Sequence, residues 1–185
     1  MGMTLIFIIG LAVLILFYFI GIYNKLVSKR SMMEEGWSGI DVQLKKRHNL
    51  IPNLVETVKG YAKHEQETLN QVITARNAAV NADGPKASKQ AEGQLNSALA
   101  NIFALSEAYP DLKANTTFLN LQKELSAIEG DVEKARRYYN ATVRENNILI
   151  ESFPSNIVAG TGSFDLGEFF EIEDASERSA PEVKF

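Results

Sequence analysis

Cysteine is absent from the 185 residues. That excludes disulfides, thiolate zinc sites, iron–sulfur clusters, cysteine nucleophiles and a lipid carried on an N-terminal cysteine. Histidine is nearly absent, with His48 and His64 alone. Neither has a second histidine or a carboxylate at the i, i+4 spacing of a helical metal site, so no metal is expected and both read as solvated polar residues. A basic excess is missing too. Residues 1–153 hold 17 Lys/Arg against 16 Asp/Glu, and residues 154–185 hold 2 against 7. The net charge of −4 thus belongs to the tail, and nothing gives the footprint of a nucleic-acid binder. No convincing strand precedes a glycine-rich loop, which removes the phosphate-binding loop, and Gly160-Thr161-Gly162 reads as plain loop. Glu34 and Glu35 are neighbours, but adjacent helical positions point about 100° apart, so they serve a wet face rather than acid–base chemistry. No catalytic, cofactor-binding or metal-ligating residue emerges, and no small-molecule substrate is implied.

What is present begins with a long apolar run. Met3 to Tyr23 carries no charge, and 14 of its 21 residues are Leu, Ile, Phe or Val. As a helix it is about 31 Å long, close to the hydrocarbon thickness of a bilayer. Those 14 side chains favour insertion by roughly 4 to 8 kcal/mol. The run is too long for a signal peptide and has neither a basic segment before it nor an A-x-A-like site after it. Tyr18 and Tyr23 sit near its inner end, where amphipathic rings prefer the interface. No Lys or Arg precedes the run, whereas Lys25, Lys29 and Arg30 follow at once. The positive-inside rule then places the N-terminus outside and the remaining chain in the cytoplasm. The expected division is a transmembrane anchor over 1–24, a cytoplasmic helical bundle over 25–153 and an acidic, aromatic C-terminal tail over 154–185.

Alternating steps of three and four from Leu26 reach Arg30, Met33, Trp37, Ile40, Leu44, Arg47, Ile51, Leu54, Val58 and Tyr61. All but the two arginines are apolar or aromatic, a stripe for helix packing. Pro52 lies inside it and predicts a kink or short break near Asn49–Pro52. A second helix is expected over about Glu65 to Asn81, ended by Asp83-Gly84-Pro85. A third runs from about Lys86 to Ala108 and stops at Tyr109-Pro110-Asp111. The last, from about Thr116 to Phe153, has the stripe Phe118, Leu121, Leu125, Ile128, Val132, Ala135 and Tyr139. Asn115 to Thr117 supply its capping side chains and Pro154 follows it. The fold class is therefore all-α: one transmembrane helix, then an up-and-down bundle of four long antiparallel helices with an irregular C-terminal tail.

The run Trp37-Ser38-Gly39-Ile40-Asp41-Val42-Gln43-Leu44-Lys45-Lys46-Arg47, continued by Leu50 through Tyr61, closely resembles the LemA family. So do Tyr109-Pro110-Asp111-Leu112-Lys113-Ala114-Asn115, Ala135-Arg136-Arg137-Tyr138-Tyr139-Asn140, Phe153-Pro154, and the tail at Phe164, Phe169-Phe170, Pro181, Val183 and Phe185. The resemblance implies a single-pass bacterial cell-membrane protein with a small external N-terminus and a helical cytoplasmic domain. It supplies no catalytic residue and no defined molecular role. Two positions depart from its pattern: Gly36 replaces alanine, at a helix cost of roughly 1 kcal/mol, and Asn146 replaces an aromatic residue.

Three function classes follow. A membrane-anchored scaffold or adaptor that binds other proteins fits best. A receptor-like signalling coiled coil would need a sensor domain, and an enzyme would need a buried titratable cluster that the sequence does not display. The partners expected are the lipid bilayer, through residues 3–23, and unidentified proteins or a second copy of the chain. The middle helices are short, so the membrane-proximal pair is expected to leave Leu26, Met33, Trp37, Tyr139, Leu149 and Phe153 incompletely covered. Either a partner or the tail, through Phe164, Phe169 and Phe170, would cover them.

Overall fold

The structure, a computed structural model, describes residues 2–171. Among these, every regular element is helical: α1 (Gly2–Tyr61), α2 (Gln66–Val80), α3 (Gly84–Ser106), α4 (Pro110–Lys113), α5 (Thr116–Glu151) and α6 (Ser155–Thr161). The chain is all-α, as its periodicity implies. Pro181, Val183 and Phe185 lie outside the described residues.

Most helix ends fall where turn chemistry puts them. Gly84, at φ 76°, supplies the left-handed residue between α2 and α3, and Pro85 follows in the first turn of α3. Asn115 caps α5, its Oδ1 accepting from the Phe118 N–H at 2.9 Å. Two expectations fail. Tyr109-Pro110-Asp111 does not merely stop α3, because Pro110 opens the single turn α4. Gly160 and Thr161 are not loop but the last residues of α6.

The larger correction concerns α1. The apolar run and the first soluble helix form one helix, and no break occurs at Asn49–Pro52. Pro52 has no N–H, so the His48 carbonyl loses its helical partner. Arg76 on α2 replaces it, its Nε donating to the His48 carbonyl at 3.1 Å. The hydrogen bond missing from the helix is supplied from a neighbour, so the backbone need not open to find one.

The chain divides into two compact units. The first unit contains residues 2–39 and 137–169; the second, the core unit, contains 40–136 with 170 and 171. In the core unit α1, α2, α3, α4 and α5 enclose one apolar cluster, with Leu54, Val72, Leu95, Ile102, Leu112 and Phe118 all buried. Phe103 meets Phe118 edge-on, with ring centroids 6.3 Å apart. In the first unit α1 is long and apolar enough to cross a membrane, and every residue from Gly2 to Tyr18 is exposed.

Candidate functional site

A buried ionic cluster lies in the core unit. Arg47 occupies a position on the apolar stripe of α1, so its guanidinium enters the interior and must find partners there. Its Nη1 donates to Glu92 Oε2 at 2.9 Å, and its Nη2 to Asn96 Oδ1 at 2.5 Å and Glu129 Oε1 at 3.0 Å. His48 Nε2 lies 2.6 Å from the other Glu92 oxygen. Arg47, His48 and Glu92 are all buried, Glu92 to 1% exposure. His48 is therefore not the solvated residue that its isolation suggested. Its partner is 44 residues away, beyond any i, i+4 search. One signal was present: two consecutive polar residues, one of them charged, at the centre of an apolar stripe. The cluster borders neither of the grooves described below. As arranged, it can hold α1, α3 and α5 in register.

The other feature of this unit is a groove of about 770 Å3 between α2 and α3, with Ala75, Ala78 and Ala98 among its lining residues. Asn70, Gln71, Thr74, Gln94, Ser97 and Asn101 line it, with Glu67 at its edge. Such a surface offers hydrogen-bond donors and acceptors with little charge to desolvate.

The first unit holds the six residues expected to be left incompletely covered. Leu26 and Tyr139 are buried, Met33, Trp37 and Leu149 are half-buried, and Phe153 alone stays open, at 81% exposure. The cover is the chain's own tail. Phe164 packs with Leu26, Val158 and Ala159, meets the Tyr23 ring edge-on at 5.5 Å, and carries the Arg30 guanidinium 5.2 Å over its face. Asn147 then clamps the tail backbone: its Nδ2 donates to the Gly167 carbonyl at 3.0 Å, and its Oδ1 accepts from the Gly167 N–H at 2.8 Å. The Tyr139 hydroxyl donates to the Glu168 carbonyl at 2.8 Å. Burial, followed by the nearby Glu168 charge, raises the Tyr139 phenol above its ordinary value. Phe169 remains 43% exposed, and Phe170, which belongs to the core unit, is fully buried.

A second groove, of about 870 Å3, opens in this unit beside the end of the apolar run. One wall is Phe17, Tyr18, Gly21 and Ile22 of α1; the other is the elbow Ser152–Ser155 between α5 and α6. Lys25, Lys29 and Glu145 stand at its rim. Lys29 Nζ donates to Glu145 Oε2 at 2.6 Å. That bond, and the lysine charge behind it, lower the Glu145 carboxyl below its ordinary value.

A family model described as the LemA family matches residues 36–185. A protein named LemA from Metamycoplasma hominis is 28% identical over 144 residues, which cover 77% of this chain and 66% of that protein. Magnetosome protein MamQ 2 of Paramagnetospirillum magneticum and magnetosome protein MamQ of Magnetospirillum gryphiswaldense are each 24% identical over 181 residues, 84% of this chain and 66% of theirs. The chain thus spans just under two thirds of the length of these relatives.

Proposed function

We propose that this chain, which belongs to the LemA family, is a membrane-anchored helical scaffold that binds other proteins at the cytoplasmic face of a bacterial membrane. The observation that carries this reading is the continuity of α1. Its first part is exposed and apolar, and its last part enters a closed hydrophobic core. A span joined to a packed domain without a linker suits a protein that holds a surface at the membrane. Residues 1–24 are the anchor, the N-terminus lies outside, and four antiparallel helices make the soluble body, in coiled-coil-like packing. The role is non-catalytic. In the buried cluster Arg47 Nη1 and Nη2, His48 Nε2 and both Glu92 oxygens bond within the protein, as in a structural network, while the buried Arg47 Nε has no hydrogen-bond partner. The groove between α2 and α3, with its amide and hydroxyl side chains set among alanines, is the surface for the partner.

Two measurements test this. Protease added to intact protoplasts should spare residues beyond Lys25, and cleavage there without breaking the membrane reverses the orientation. Affinity capture from detergent-solubilised membranes should then compare the native chain with a Gln71→Lys, Ser97→Lys variant. A protein retained by the first and lost from the second is expected. Identical captures, or none from either, remove the adaptor reading.

A further inference from the structure

We infer that the elbow between α5 and α6 dips into the membrane interface and that the groove beneath it binds the headgroup of an anionic phospholipid. The inference rests on α1 spanning the bilayer and goes beyond it, because an anchor needs no second membrane contact and no lipid site.

Depth is the first argument. The elbow residues Ser152, Phe153, Pro154 and Ser155 share one groove with Phe17, Tyr18 and Gly21. Phe17 precedes Tyr23, the last residue of the apolar run, by six positions, about 9 Å along a helix. A bilayer's interfacial layer is only about 5–8 Å thick on each side. Val158 and Ala159, just after the elbow, pack in one cluster with Phe19 and Ile22 of the apolar run, so the elbow lies at or below headgroup level. The second argument is the surface presented at that depth. Phe153 is 81% exposed, Ile148 56% and Ile157 52%. In water these side chains would be a liability; in the boundary between headgroups and acyl chains they anchor the elbow.

Charge decides the occupant. Lys25 and Lys29 stand one helical turn apart on α1, at the rim of the groove. Glu145 neutralises Lys29 at 2.6 Å, and Lys25 has no ion-pair partner among the described residues. The groove thus has an apolar wall continuous with the span and a rim with one uncompensated positive charge. A phospholipid with one net negative charge matches both, its phosphate at Lys25 and its glycerol end along Phe17 and Ile22.

The absence of cysteine makes the test clean. The full chain, carrying a spin label on Ile157→Cys or on Leu14→Cys, is placed in phosphatidylcholine vesicles containing phosphatidylglycerol. Accessibility to oxygen and to a water-soluble nickel chelate then gives each label's depth. Both labels should be shielded from the chelate. A label at 157 in water with one at 14 in the bilayer overturns the elbow inference and leaves the span intact; both in water overturns the span itself. Separately, phosphatidylglycerol retained per protein after detergent exchange should fall roughly fivefold in Lys25→Gln, the factor expected for one lysine near an anionic surface. Retention unchanged by Lys25→Gln, equal retention of phosphatidylcholine, or displacement of the lipid by inorganic phosphate would each overturn the lipid site. Lys25 is exposed, so its variant should keep the native circular dichroism.

Discussion

Two glycines three residues apart show how much a local environment decides. At Gly36 a Cβ would stand 3.2 Å from the Tyr139 Cα and 3.3 Å from Thr142 Oγ1. At Gly39 a Cβ would meet nothing within 4 Å. Alanine gains about 1 kcal/mol of helix propensity at either site. Gly39→Ala should therefore stabilise the protein by about that amount. Gly36→Ala should destabilise it by about 1 kcal/mol, because backbone cannot give way as a side chain can. Thermal unfolding in detergent, followed by circular dichroism, checks both signs. The family-level departure at Gly36 is thus a close approach of α1 to α5 rather than a plain weakness. Asn146 is buried to 1% exposure, with its Oδ1 unpartnered; the resemblance identified the position as unusual but gave no reason for it. Two phenols set an alkaline limit. The Tyr109 hydroxyl donates to Glu65 at 3.1 Å, and that bond, followed by burial and the Glu65 charge, raises its pKa, as burial chiefly raises that of Tyr139. The folded state then holds both protons more tightly than the unfolded state. Stability should be intact below the ordinary phenol value of 10.0 and fall as pH rises through the folded values. An absorbance titration of phenolate beside denaturation curves tests this; replacing both tyrosines by Phe should flatten the alkaline loss.

Among the elements, α1 is legible in the sequence in its apolar run and its packing stripe but not in its continuity. The apolar run, the packing stripe and the helix ends follow from local periodicity and turn residues, and these were legible. The unbroken passage through Pro52 was not, because the donor that permits it comes from Arg76, 28 residues from the His48 carbonyl it serves. Glu92 was hidden for the same reason. Its partners Arg47 and His48 lie on another helix, and nothing in the spacing of α3 marks one glutamate as buried. The cluster predicts an asymmetry between single and double substitutions. Glu92→Leu strips the main acceptor from Arg47 and should cost about 3–5 kcal/mol. Arg47→Met together with Glu92→Leu removes both buried charges and should cost less than Glu92→Leu alone. Chemical denaturation of the three proteins decides it, and a double variant weaker than Glu92→Leu would show that Arg47, through Asn96 and Glu129, stabilises the fold even without Glu92.

For the molecule as a whole, the tail is the element that the sequence undersold. Its aromatic residues pointed to a covering role, but only the structure pairs Phe164 with Tyr23 and Arg30 and clamps Gly167 on Asn147. The cluster beneath Phe164 includes Phe19 and Ile22, which belong to the apolar run. A chain begun at Asn24 should stay strongly helical, since the core unit is untouched, yet lose that floor. Limited proteolysis should then cut between Gly162 and Phe169 at least several times faster than in the full chain, and equal rates would show that the clamp alone holds the tail. The division into units has a further, mechanical consequence. Neither unit is one stretch of sequence: the chain crosses between them at 39–40, at 136–137 and at 169–170. Residues 40–136 are therefore tied covalently to the other unit at both of their ends. A single cut at 39–40 or at 136–137 leaves the two units still joined by the other crossing, which a domain hung on one linker could not survive.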